Sequence, residues 1–282
     1  MQQYIERFNQ MIELRGLTNN TAKSYNSYLR KYLSYVANTL GKAPEDVTWD
    51  DIRTYIFHLK NEVGLSGKTI NASNAQLKFF YEYVLNKSWD RYQVPTSRVN
   101  NYLPKILTLE EVKYFIDTMP NLKHKAMVST AASSGLRINE TCSLHYEDIK
   151  RDTMSIHVRE SKNRSDRYTL LSKDNLKLLT QYWFEYGKPR DWLFPGQKEG
   201  THLSKQSLHN TIKDHVARLG WDSRISAHTF RHCFGTLHYE NGTDLYTIKE
   251  LMGHKSLSST LIYIHLSSKA KLGVRSPFDM EI

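Results

Sequence analysis

The chain has 282 residues, which at roughly 100–200 residues per domain is one large domain or two. Lys and Arg number 39 against 29 Asp and Glu, a formal net charge of +10 that favours an anionic partner such as nucleic acid or a membrane surface. With 24% charged and 12% aromatic residues the composition excludes a disordered basic tail. No apolar run approaches the ~20 residues of a membrane span, and the start MQQYIERFNQ is too polar for a signal peptide, so a soluble, cytoplasmic protein is expected.

The first hundred residues read as helices. Tyr4, Phe8, Met11 and Ile12 share one helical face, and Gly16 is a fitting stop. A second helix carries Tyr25, Leu29, Tyr32, Leu33 and Val36, and its opposite positions offer Lys23, Arg30 and Lys31 to an anionic partner. Thr48 and Asp51 have capping-box spacing ahead of Ile52, Tyr55, Ile56 and Leu59, and a fourth helix follows Ser66. Four such helices with short links make a small bundle, a fold that by itself does not argue for DNA binding.

Residues 93–104 lack periodicity and are bracketed by Pro95 and Pro104, as expected of an interdomain linker. A second capping box, Thr108 to Glu111, opens a mixed unit with helices near 109–118 and 122–134. Alternating stretches at 154–158 and 168–171, separated by the polar RESKNRSDR, predict a β-hairpin. Helices are predicted again near 173–186, 204–219, 228–240, 244–252 and 257–265. The two cysteines, Cys142 and Cys233, lack CxxC spacing and are expected to be buried, reduced thiols.

Individual polar residues in this second unit are weak signals. Arg137 follows Gly135 at a helix start, where the macrodipole favours acidic side chains. His228 and Arg231 at i, i+3 share a helical face, His254 follows Gly253, and Tyr263 alone reads as a core aromatic. In order and spacing, however, Arg137 in GLRxxE, Lys162 in the hairpin turn, His228-x-x-Arg231, Gly253-His254 and Tyr263 closely resemble the tyrosine recombinases, also called phage integrases. Within that family the Xer-like and transposon-encoded members are the nearer comparison. Met252 and Asn139 are small departures that carry no chemistry.

The resemblance implies a mainly α fold. It has an N-terminal four-helix, SAM-like core-binding bundle (1–94), a linker (95–104), and a mixed α/β catalytic domain with a small β-sheet (105–282). It also implies a site-specific recombinase that cleaves and rejoins strands through a 3′-phosphotyrosine and a Holliday junction, in DNA integration, excision or resolution. Tyr263 is then the nucleophile. Arg137 and Arg231 present guanidinium donors to the non-bridging oxygens, with His254 as a third donor. His228 fits the acid/base role, since imidazole titrates near neutrality. Lys162 resembles the family's general acid, Glu140 supports the site, and Arg159, Arg164 and Arg167 around Lys162 are expected to face DNA. No cofactor is implied, and no Asp/Glu/His cluster has convincing metal-ligand spacing. The implied partners are double-stranded DNA with an inverted-repeat site and further copies of the chain in a tetramer on DNA, with no membrane. Apolar residues of the tail, Leu272, Val274, Phe278, Met280 and Ile282, are expected to dock on a neighbouring catalytic domain or on their own. A type IB topoisomerase and a catalytically silent DNA-binding protein remain as alternatives.

Overall fold

A computed structural model describes residues 1–99, 103–159 and 166–267; Lys162, Arg164 and the tail from 268 onward lie outside the described residues. The chain divides into two compact units, Met1–Tyr102 and Leu103–Ile282.

The first unit is built from α1 (Gln2–Leu14), α2 (Asn19–Tyr35), α3 (Trp49–Phe57) and α4 (Gly67–Tyr83). Thr18, Thr48 and Ser66 each accept a hydrogen bond from the third following backbone N–H, which satisfies an otherwise orphaned donor at each helix start. Thr48 and Asp51 complete the predicted capping box. The inner faces meet in an aromatic-rich core in which Phe8 and Phe80 are wholly buried, with Phe8 edge-on to Phe79 at 5.2 Å. Lys23, Arg30 and Lys31 stay exposed on α2.

Contacts of the bundle continue into the segment without periodicity. Val94 is buried in the bundle core, and Arg53 donates to the Gln93 carbonyl. The Asn71 side-chain amide pairs with both backbone groups of Ser97, accepting from its N–H at 2.8 Å and donating to its carbonyl at 2.9 Å. The segment without periodicity is thus strapped to α4 by an amide standing in for a neighbouring strand, an interaction that leaves no hydrophobic pattern to read.

The second unit contains α5 (Leu109–Asp117), α6 (Leu122–Ser134), α7 (Ile138–Cys142), β1 (Ile149–Lys150), β2 (Ser155–Val158), β3 (Arg167–Leu170), α8 (Lys173–Glu185), α9 (Lys205–Arg218), α10 (Ala227–Glu240), α11 (Leu245–Met252) and α12 (Ile262–Leu266). Helix α6 is central. Ala126, Thr130, Ala131 and Ser134 are all buried along it, and such small side chains allow neighbouring helices to approach closely. Gly135 ends α6 at φ 64°, and a Cβ there would lie 2.5 Å from the Phe234 ring of α10. Cys142 and Cys233 are buried and unbridged.

The hairpin forms as β2 and β3, extended by a short β1 that the sequence pattern does not announce; the antiparallel order is β1-β2-β3. Val158 pairs with Arg167 and Ile156 with Thr169. Since directly opposed residues share a face, Arg167 and Thr169 point inward with the buried Ile156 and Val158. The predicted helix at 257–265 is interrupted. Leu257–Ser259 form a 3₁₀ turn before α12, where Ser256, Ser258 and Ser259 favour local bonds over helix propagation.

Candidate active site

Helix α7 starts at Arg137. The Glu140 carboxylate accepts from the Arg137 backbone N–H at 2.9 Å and from its guanidinium at 2.7 Å. An arginine that looks misplaced at a helix start is therefore held by an acid one turn on, which also suits the dipole. From β3, Arg167 reaches the same carboxylate with both terminal nitrogens, at 2.8 and 3.1 Å. The Arg231 guanidinium, on α10, lies 3.9 Å from it. Burial works to raise the Glu140 carboxyl, yet Arg167 and Arg137 hold it down at about 2, so it is ionised and this group of four carries a net positive charge.

The three guanidiniums are fixed from the other side by the end of α11. Its last carbonyls lack helical partners and lie at the negative end of the macrodipole. Arg167 donates to Leu251 O at 3.0 Å, Arg231 to Met252 O at 2.5 Å, and Arg137 to Gly253 O at 2.9 Å. Gly253 closes the helix in the left-handed region, and a Cβ there would press on the Arg167 side chain at 2.9 Å. The turn that holds the arginines also delivers His254, whose Nδ1 is 2.9 Å from the Thr260 hydroxyl.

Tyr263 is the second residue of α12 and only 1% exposed. Its ring lies against Gly235 of α10 and near the rings of His254 and His232, with centroids 6.2 and 6.1 Å away. Burial pushes the phenol up to about 12, against the opposing pull of Arg231 and Arg137. His232 and His254 are pressed down to about 4 by burial and by neighbouring positive or ionisable groups, so both are neutral at pH 7. His228, near the start of α10, is the exposed member; packing about its ring, with Arg231 and Arg137, lowers its pKa as well. Burial and Arg137 lower Arg231 to about 10, which leaves it charged at neutrality.

Arg137, Glu140, His228, Arg231, His254 and Tyr263 thus converge. Arg167 departs from the DNA-facing position expected of it: strand alternation turns it inward onto Glu140, with its side chain 9% exposed. Arg159 is exposed, but Asp148 and Glu147 bind it at 2.7 and 2.5 Å and offset its charge. Lys23 and Arg30 line a shallow depression on α2 with Asn19, Asn26 and Ser27. Among the described residues no three His, Cys, Asp or Glu side chains converge as a metal site, and no helix is long and apolar enough to cross a membrane. Sequence reasoning missed the site roles of Thr260, His232 and Gly235, and for Arg167 the alternation of Arg167, Thr169 and Leu171 is the signal that could have been read.

Residues 105–270 match the profile of the phage integrase family, and residues 4–91 that of the phage integrase N-terminal SAM-like domain. The chain belongs to the phage integrase family. It is 34% identical over 278 residues to the y4qK protein of Sinorhizobium fredii, covering 98% of this chain and 88% of that one. The tyrosine recombinase XerA of Pyrococcus furiosus is 30% identical over 270 residues, covering 94% and 90%. In fold, the tyrosine recombinase resembles the XerH site-specific recombinase, solved bound to a palindromic difH substrate as a post-cleavage complex, with TM-score 0.75, 21% identity and 94% and 82% coverage. This phage integrase family member is accordingly a DNA strand-transferring enzyme of site-specific recombination.

Proposed function

We propose that the enzyme cleaves DNA by attack of the Tyr263 oxygen on a backbone phosphorus. A 3′-phosphotyrosine forms and a 5′-hydroxyl leaves; the 5′-hydroxyl of a partner strand then reverses the step. The arrangement of Tyr263 beside Arg137 and Arg231, on an α10 that also carries His228, supports this reading. A phosphodiester repels nucleophiles, and its transition state gathers charge on the two non-bridging oxygens. Fixed guanidiniums offset that charge without reorganising during the reaction. Both arginines keep further N–H donors beyond those spent on Glu140 and backbone carbonyls.

The neutral His254 adds a third donor. If the Thr260 hydroxyl donates to Nδ1, the ring proton resides on Nε2, free to meet a phosphate oxygen. A tyrosine held at about 12 needs a proton acceptor as well as nearby cations, and a neutral His228 at the open edge of the site suits that task. Lys162, by resemblance, protonates the leaving 5′-oxygen. Because the phosphotyrosine retains the energy of the broken bond, no nucleotide is consumed.

The wider setting is inferred from the family resemblance. The substrate is double-stranded DNA with an inverted-repeat site, bound by both units, with Lys23, Arg30 and Lys31 toward phosphates. Two duplexes are held by a tetramer, and exchange passes through a Holliday junction in integration, excision or resolution. The XerH and XerA relatives support the DNA partner. The experiment is trapping on a nicked suicide substrate. The wild-type chain forms an SDS-resistant adduct and Tyr263→Phe does not, while binding is retained; an adduct with the Phe variant would move the nucleophile elsewhere.

A further inference from the structure

The Glu140 carboxylate is fully subscribed. One oxygen accepts from the guanidiniums of Arg137 and Arg167, the other from the Arg137 backbone N–H and the second arm of Arg167. A carboxylate has about four lone-pair sites, and these four donors fill them. Arg231, whose Nη1 is 3.9 Å from the second oxygen, is thereby left to bind the Gly135 and Met252 carbonyls.

We propose that Arg167 is a positioning residue of the active site, which saturates Glu140 and so keeps that carboxylate from drawing in and neutralising Arg231. The inference rests on the reading of Arg231 as a phosphate-binding arginine. Without Arg167, two lone-pair sites open on a carboxylate that is only 8% exposed, and although Arg137 stays paired with it, buried acceptor sites left without donors are costly. The nearest guanidinium not already bound to it, Arg231 at 3.9 Å, is the group that answers. The net charge of the cluster also falls by one, from three guanidiniums against one carboxylate to two. Arg167 further joins the return strand of the hairpin to the α11 turn through Leu251 O, so that the strand beginning five residues after Lys162 and the turn preceding His254 share one anchor.

The test is single-turnover cleavage of a nicked duplex at saturating DNA, with DNA affinity measured separately. Arg167→Ala should cleave roughly a hundredfold more slowly, the scale of losing one transition-state donor, with affinity within about threefold of wild type. Adding Glu140→Gln removes the charge that captures Arg231, so the double variant should be about tenfold faster than Arg167→Ala alone, a non-additivity expected only of directly coupled residues. Arg167→Lys keeps the carboxylate paired and protects the fold; it should be several-fold slow and be relieved in the same way. Three outcomes overturn the proposal: weaker DNA binding with a normal saturated rate, which would make Arg167 a DNA contact; double variants no faster than the single ones, which would mean that Glu140 does not act on Arg231; or a relief of rate that only follows recovered thermal stability, which would make Arg167 and Glu140 a structural pair. Adduct formation by Tyr263→Phe would instead sink the underlying reading, independently of either result.

Discussion

Gly235 lies directly beneath the Tyr263 ring: a Cβ built on it would stand 2.4 Å from the carbon that bears the hydroxyl. Glycine inside a helix costs about 0.5–1 kcal/mol relative to alanine, and here its missing side chain forms the seat of the ring. Gly235→Ala should push the ring outward by about 1 Å, and misplacement on that scale costs up to about a hundredfold in rate. Adduct formation is expected to fall at least tenfold at unchanged DNA affinity. A strand ending in a 3′-p-nitrophenyl phosphate gives the control, since its ligation to a 5′-hydroxyl releases p-nitrophenolate and bypasses the tyrosine. In a Tyr263→Phe background, Gly235→Ala should leave that ligation unchanged, and a matching loss would place the damage in the arginine cradle.

Thr260 is wholly buried and directs the ring of His254. Thr260→Val keeps the shape and removes the hydroxyl, so Nδ1 loses the partner that, in the proposed tautomer, holds the imidazole proton on Nε2. Cleavage should drop roughly tenfold, at the low end of what a positioned proton donor contributes. Thr260→Ser should retain the wild-type rate; equal losses in both variants would show that the methyl group, and not the hydroxyl, is what matters.

Lys162→Ala offers a selective test of leaving-group protonation. The 5′-oxygen departs as a strongly basic alkoxide unless protonated, whereas a bridging 5′-sulfur leaves readily without a proton. The variant should be slow on ordinary DNA and largely restored on the sulfur-substituted strand. Equal defects on the two substrates would remove Lys162 from that role.

Acid should destabilise the second unit through His232 and His254. Both have folded pKa values of about 4, below the roughly 6.5 of an unfolded histidine, so their stabilising effect is complete above 6.5 and is lost as pH falls toward 4. Glu140, held at about 2, contributes no loss until pH drops below about 4.5. Thermal melts between pH 7.5 and 4.5 should show a falling Tm that His232→Asn makes shallower. A Tm that does not change across this window would mean that neither ring is held neutral by the fold.

Much of this was legible along the chain, because caps, amphipathic faces and hairpin alternation are set by residues within a few positions of one another. Thr48 with Asp51, Thr108 with Glu111, and the two alternating stretches of the hairpin define elements found in the structure. The spacing from Arg137 through His228 and Arg231 to Tyr263 carried the family resemblance and the candidate site. Other features arise only when distant segments meet. Arg167 and Glu140 are 27 positions apart, and although strand alternation turns Arg167 inward, nothing local names a buried acid as its partner. Gly235 reads as a weak helix residue until α12 lays Tyr263 across it, and residues 93–97 read as free linker until Asn71 pairs with Ser97. Side-chain type and local period determined which groups were available and which elements carried them. Long-range packing decided which carboxylate, carbonyl or ring each group meets, and with it the charge of the arginine cluster and the burial of the tyrosine.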